Sequence, residues 1–280
     1  MVARSGKTMT TSEGSPLGRP TDYPDRYDPA LLFPIARSDA RQALGITGAL
    51  PFGGVDLWTA YEMSWLDRGG KPQAAVGRLR IAADSPCIVE SKSLKLYLGS
   101  FAQESVATRG ELVRRIESDL GRACRAPVAV ALDPPTDLAV LHAASLPGES
   151  LDDLAVATDV YEPAPALLVA GGPHVEETLR SALFRSRCPV TGQPDFGDVL
   201  IRYRGPQIER GALLRYLISY RRHPAFHESC VERIFVDVLA RCAPRALTVY
   251  ARFLRRGGID INPFRSNFES APDSVRSARQ

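Results

Sequence analysis

No stretch of this 280-residue sequence approaches the ~18 consecutive apolar residues that a membrane helix needs. The N-terminus has no apolar core of the secretory type, so neither membrane insertion nor export is expected. Charge of one sign is also in short supply. The formal net charge is only +3, which does not demand nucleic acid or an anionic surface as a partner. The five cysteines (Cys87, Cys124, Cys188, Cys230 and Cys242) are odd in number and form no C-x-x-C pair. A disulfide framework and a structural zinc ribbon are thus poorly supported, and a reducing, cytoplasmic compartment is expected. No G-x-G-x-x-G follows a strand-like segment, which argues against a Rossmann dinucleotide site. What is present is length and 44% hydrophobic residues, enough for a sizeable core in one or two domains.

Residues 1 to about 30 are rich in Ser, Thr, Gly and Pro and read as a mobile tail, with a boundary drawn at 1–34. The rest carries an internal repeat. Val89-Glu90-Ser91-Lys92-Ser93-Leu94-Lys95-Leu96-Tyr97-Leu98-Gly99-Ser100-Phe101 is echoed by Ile208-Glu209-Arg210-Gly211-Ala212-Leu213-Leu214-Arg215-Tyr216-Leu217-Ile218-Ser219-Tyr220, at a constant offset of 119. In both copies the apolar residues fall at i, i+3, i+4 and i+7, one buried stripe of a helix. A second helix follows in each half, over Glu111–Leu120 and Cys230–Leu239. Strand-like segments flank the pairs: Ala75–Ile81 and Val128–Leu132 in the first half, Asp198–Tyr203 and Leu247–Phe253 in the second. The pattern predicts an α+β fold of two tandem units, each an antiparallel sheet with two helices on one face. The units are drawn at 35–160 and 161–280.

Duplicated halves keep their core and diverge where function is divided. Only the second half carries Ser186-Arg187-Cys188-Pro189-Val190-Thr191-Gly192-Gln193-Pro194-Asp195 and Phe226-His227-Glu228; only the first carries Glu90-Ser91-Lys92-Ser93. Each half lacks what the other has, which points to one composite site at a seam. The residue types suit thiolate chemistry. A cysteine nucleophile needs cationic or hydrogen-bonding neighbours to lower its pKa, and Asp195 is close by in sequence as a proton donor. His227 and Glu228 open a helix, where free N–H groups favour negative charge. Each residue also has a plainer reading. Cys188 fits a buried thiol, His227 a helix end, and Lys92 with Lys95 a solvated face. Glu90 and Glu209 recur together, so part of their role is structural.

The strings Glu90–Tyr97, Cys188–Asp195, Phe226-His227-Glu228 and Arg255–Pro263 together resemble the 7-cyano-7-deazaguanine reductases, the nitrile reductases of queuosine biosynthesis, in their long, two-module form. The resemblance runs from about residue 35 to about residue 268. It implies two tunnelling-fold modules, each built on a four-stranded antiparallel sheet, and a homodimer without direct nucleic-acid contact. It implies that Cys188 attacks a nitrile carbon to give a covalent thioimidate and that Asp195 is the general acid. His227 would assist protonation. Val89, Glu90, Ser91, His227 and Glu228 would hold the deazaguanine, and Phe226 would cover it. NADPH would be held by Ser91, Lys92, Arg256 and Gly257, and no metal is implied. Two other readings compete. Cys188, His227 and Cys230 could supply zinc ligands for a cyclohydrolase, although Cys230 opens the apolar stripe of its helix. An inactive binding module is the other, and the intact Cys188, Asp195, His227 and Glu228 set argues against it.

Overall fold

The computed structural model describes residues 23–137, 143–272 and 276–280. Its elements run β1 (Pro34–Ala36), α1 (Ser38–Gln42), β2 (Gly53–Leu66), β3 (Pro72–Ala82), β4 (Cys87–Val89), α2 (Ser91–Gly99), α3 (Arg109–Cys124), β5 (Val128–Asp133) and β6 (Glu149–Ser150), then β7 (Ala170–Arg187), β8 (Pro194–Ile208), α4 (Arg210–Ile218), α5 (His227–Cys242), β9 (Ala246–Phe253) and β10 (Ile259–Ser266). The repeat is therefore structural: two strands, two helices and a returning strand occur twice. The paired helices agree in detail. α3 and α5 each span 16 residues and each ends on a non-glycine residue in the left-handed region, Arg125 and Ala243. Tyr97 donates to Asp119 at 2.6 Å, as Tyr216 does to Asp237.

Among the described residues, eight strands form one continuous sheet in the order β5-β3-β2-β10-β9-β8-β7-β6, antiparallel except for the short β6–β7 pairing, while β1 and β4 pair antiparallel as a separate two-stranded sheet. The first unit gives three of these strands and the second gives four, with β6 added from the segment between them. The units join through β10 and β2, paired from Ile259↔Ala60 to Ser266↔Gly53. Gly54 makes this approach possible, because a Cβ there would overlap the Phe264 carbonyl. Each helix pair lies on its own half of the sheet over its own core, one around Leu94, Phe101, Leu112 and Ile116, the other around Leu213, Tyr220, Ile234 and Phe235. Packing begins before the expected boundary of the tail. Tyr27 stacks near Tyr97 and Phe101 and donates to Asp119 at 2.7 Å; residues 1–22 lie outside the described residues. Among the described residues no helix is long and apolar enough to cross a membrane.

The seam holds a buried ion cluster. Arg265 of β10 donates to Glu232 of α5 from Nε and Nη2, at 3.1 and 2.9 Å. Its Nη1 forms an ion pair with Asp56 of β2 at 2.8 Å. Arg37, in the turn after β1, donates to Asp56 at 2.5 Å, and Arg41 of α1 donates to both oxygens of Glu232, at 3.0 and 2.8 Å. Burial alone would push Glu232 and Asp56 upward, but the guanidiniums outweigh it and hold both carboxyls below their ordinary range. A pair of this kind adds little net stability, yet removing one partner strands the other without water. Glu232→Gln is therefore expected to lower stability by about 3–5 kcal/mol, measured by urea denaturation. A loss under about 1 kcal/mol, the range of exposed pairs, would contradict the burial argument.

Candidate active site

The turn between β7 and β8 brings two of the expected residues together. Ser186 and Asp195 face each other in the ladder. Beyond them the Cys188 N–H donates to the Gln193 carbonyl at 2.9 Å, and the Gly192 N–H donates to the Cys188 carbonyl at 3.0 Å. Gly192 stands at φ +70°, a left-handed position that suits glycine. The spacing of the Cys-Pro-Val-Thr-Gly-Gln-Pro-Asp string is thus the length of one closed hairpin turn, with Cys188 and Asp195 at its neck. Both are buried.

The first turn of α5 is pinned against that neck. The Arg187 N–H donates to the His223 carbonyl at 2.9 Å, and the Ala225 N–H donates to the Arg187 carbonyl at 3.1 Å. Phe226 occupies the N-cap without a side-chain cap, so the helix opens with free N–H groups. The His227 ring lies flat on Phe253, centroids 3.8 Å apart, and its Nε2 is 3.4 Å from Asp195 Oδ2. Arg256, in the β9–β10 hairpin, pairs with Asp195 Oδ1 and donates to Gln193 Oε1 at 2.7 Å. Burial would raise the Asp195 pKa; the hydrogen bond and charge of His227, with the Arg256 guanidinium, more than reverse this. Asp195 is held as a carboxylate. Glu228 goes the other way. Burial, then the Asp56 charge, lift it above the ordinary carboxylate range, and His227 and Arg37 offset this only in part. One Glu228 oxygen and His227 Nδ1 are buried without partners, the kind of orphaned polar group that native interiors rarely leave.

The first unit supplies the opposite wall. Val89, Ser91 and Trp58 line the same narrow cleft as Cys188, Asp195, Phe226, His227, Glu228, Arg256 and Ile261 of the second unit. Glu90 sits beneath this lining as the N-cap of α2, accepting from the Lys92 N–H at 2.6 Å and the Ser93 N–H at 2.9 Å. Glu209 caps α4 in the same way, at 2.8 Å to Gly211 and 2.5 Å to Ala212. The shared structural role read from the repeat is this cap. Glu90 Oε1 also accepts from the Ser91 hydroxyl at 3.3 Å, and Oε2 keeps a lone pair for a ligand. Gly257, at φ +57°, lies against Lys95; a Cβ there would stand 3.2 Å from its Nζ. Lys95, which the sequence suggested only as part of a solvated face, is half-buried here. Burial and the nearby Arg256 lower its pKa, while Glu90, Asp195 and Cys188 act in the opposite sense. Its position three residues after Lys92 on α2 was the available signal, since i and i+3 share a helix face. Cys230, by contrast, is fully buried in the core of the second unit, and burial pushes its thiol up to about 12. A zinc-ligand role would need it to leave that core. Among the described residues no three His, Cys, Asp or Glu side chains are grouped to hold a metal ion.

Residues 23–132 match the family model described as nitrile reductase, 7-cyano-7-deazaguanine-reductase N-terminal part, and residues 194–272 match that of QueF-like protein. The chain is 56% identical over 271 residues to the NADPH-dependent 7-cyano-7-deazaguanine reductase of Burkholderia ambifaria, covering 96% of this chain and 99% of that one. It is 55% identical over 273 residues to the protein of the same name from Paraburkholderia phytofirmans, covering 96% and 100%. Among solved structures it is similar to the archaeosine synthase QueF-Like in the apo form, with 19% identity and a TM-score of 0.31 over 36% of this chain and 99% of that chain.

The electrostatics of the cleft generate a direct expectation. Arg256→Ala removes a charge that holds Asp195 down, so the Asp195 titration should move upward, followed by carboxyl-detected NMR. An unmoved midpoint would show that His227 alone sets it.

Proposed function

The chain belongs to the 7-cyano-7-deazaguanine reductase family, and from that premise we propose that it reduces the nitrile of 7-cyano-7-deazaguanine to the aminomethyl group through a covalent thioimidate on Cys188. The observation that carries this reading is the seam cleft itself. A buried cysteine, the Asp195–His227 pair and an under-partnered Glu228 face one narrow space. The reaction adds the Cys188 thiolate to the nitrile carbon, and the nitrogen takes a proton from Asp195, leaving a C=N unit bonded to sulfur. Reduction of that unit, loss of the thiolate to give an imine, and reduction of the imine complete a four-electron change. NADPH supplies the two hydrides. Arg256, Lys95 and the left-handed Gly257, with Ser91 and Lys92 of the N-terminal turn of α2, would hold its phosphates.

The resting charge on Asp195 sharpens its part. A carboxylate held down by His227 and Arg256 has to take up a proton before it can give one. Asp195 and His227 therefore act as a pair that stores and passes protons, and Arg256, by holding the carboxylate form, keeps Asp195 from carrying its proton at higher pH. Glu228 and Glu90 accept from the N–H and amino edge of the base, with Val89, Ser91 and His227 around it. Phe226, at the lip of the cleft, helps exclude the water that would hydrolyse the imine. The reading keeps two modules, at 35–160 and 161–280, a homodimer, a cytoplasmic setting and no direct nucleic-acid partner.

Mixing purified protein with the cyano base should produce a new near-ultraviolet absorbance band without NADPH. Cys188→Ala should give no band and no NADPH consumption; turnover by that variant would sink the mechanism. Asp195→Asn should lose turnover yet retain more adduct than Cys188→Ala, and a near-normal rate would remove Asp195 from the acid role. Arg256→Ala should extend adduct formation to higher pH, because a higher Asp195 pKa keeps the acid protonated further up the scale. A pH profile left in place would separate Arg256 from that proton.

A further inference from the structure

The ion cluster behind the cleft does not balance. Arg37, Arg41 and Arg265 bring three positive charges to it and Asp56 and Glu232 two negative ones, all of them buried. A buried excess charge is costly without a counter-charge nearby. Glu228 lies one helical turn before Glu232 on α5, is 3% exposed, and has an oxygen with no partner. The charged groups close enough to act on it are Asp56 from β2, Arg37 from the turn after β1 and His227 beside it, with Cys230 on its own helix and Cys188, Asp195 and Arg256 lining the rest of the cleft. Arg37 is fixed among them: besides Asp56, it donates to Ser85 Oγ at 3.1 Å and lies 3.9 Å from Glu232.

We propose that Arg37 is a positioning residue for base recognition, keeping Glu228 a carboxylate when a ligand edge carrying N–H donors closes the cleft. The ligand class is a guanine-like lactam with an adjacent amino group, whose two donors meet two carboxylate oxygens. The inference rests on the proposed role of Glu228. Asp56 opposes Arg37, since its negative charge disfavours a second carboxylate nearby. The two members of one ion pair thus act on Glu228 with opposite sign, and a merely structural pair would not.

The test is non-covalent binding of the cyano base to protein carrying Cys188→Ala, measured by calorimetry across a range of pH. Affinity should fall as pH drops through the Glu228 titration, by about tenfold per pH unit well below it. Adding Arg37→Gln should move that midpoint up, and adding Asp56→Asn should move it down. Arg37→Lys, which keeps the charge, should leave it near the parent. If Arg37→Gln and Asp56→Asn weaken binding equally at every pH, the pair is structural and the proposal fails. Should Arg37→Gln not fold, Arg37→Met, which keeps much of the side-chain volume without the charge, decides: an upward shift supports the proposal, and a midpoint left at the parent value overturns it. Glu228→Gln distinguishes the two layers. Weak binding without pH dependence supports the Glu228 role, and unmoved midpoints in the other variants would then overturn only the Arg37 inference. Parent-like binding by Glu228→Gln overturns both.

Discussion

Arg265 of β10 meets Asp56 of β2 and Glu232 of α5 at once, and the site depends on that bridge. The β10–β2 ladder brings the two halves edge to edge, but ladder hydrogen bonds alone leave the helix layer free to shift. The buried charges remove that freedom. Glu232 is tied to β10 through Arg265 and to α1 through Arg41, so the start of α5 is fixed relative to the first unit. That start carries His227 and Glu228. The walls of the cleft belong to different halves and keep their spacing because an unpaired charge at the seam would cost too much.

Duplication explains how such a site arises. Both units use a glutamate to cap the first helix of the pair and a Tyr–Asp bond to hold that helix to the second. On this shared frame the halves diverge. The second keeps the thiol hairpin and the His-Glu helix start, and the first keeps Ser91, Lys92 and Lys95. The opposed behaviour of the carboxyls follows from placement. Asp195 faces a histidine and an arginine and stays ionised, whereas Glu228 faces burial and Asp56 and is pushed toward the neutral form. Two acids lining one cleft can therefore do different work, one suited to proton transfer and one to recognition.

Much of this was legible in the sequence. The helix pairs were readable because their apolar stripes recur at one offset, and the divided site because the halves differ where the motifs stand. β10 was not readable as a strand. It is buried on both faces, so alternation is lost, and it carries Asp260, Asn262, Pro263 and Arg265, which argue against a central strand. The ion cluster was equally hidden. Arg37, Arg41, Asp56, Glu232 and Arg265 are scattered along the chain, and charged residues are solvated unless a partner is known. Glu90 was half readable: its recurrence marked a structural duty, and the structure gives that duty as a cap.

The proposed chemistry turns on a bond from the Cys188 Sγ to the nitrile carbon. Mass spectrometry of the protein mixed with the cyano base, without NADPH, tests this most directly. One base should be added per chain with no mass lost, as addition to a nitrile requires, on the peptide that contains Cys188. An unmodified chain under conditions of full binding, or an adduct on any other residue, would contradict it.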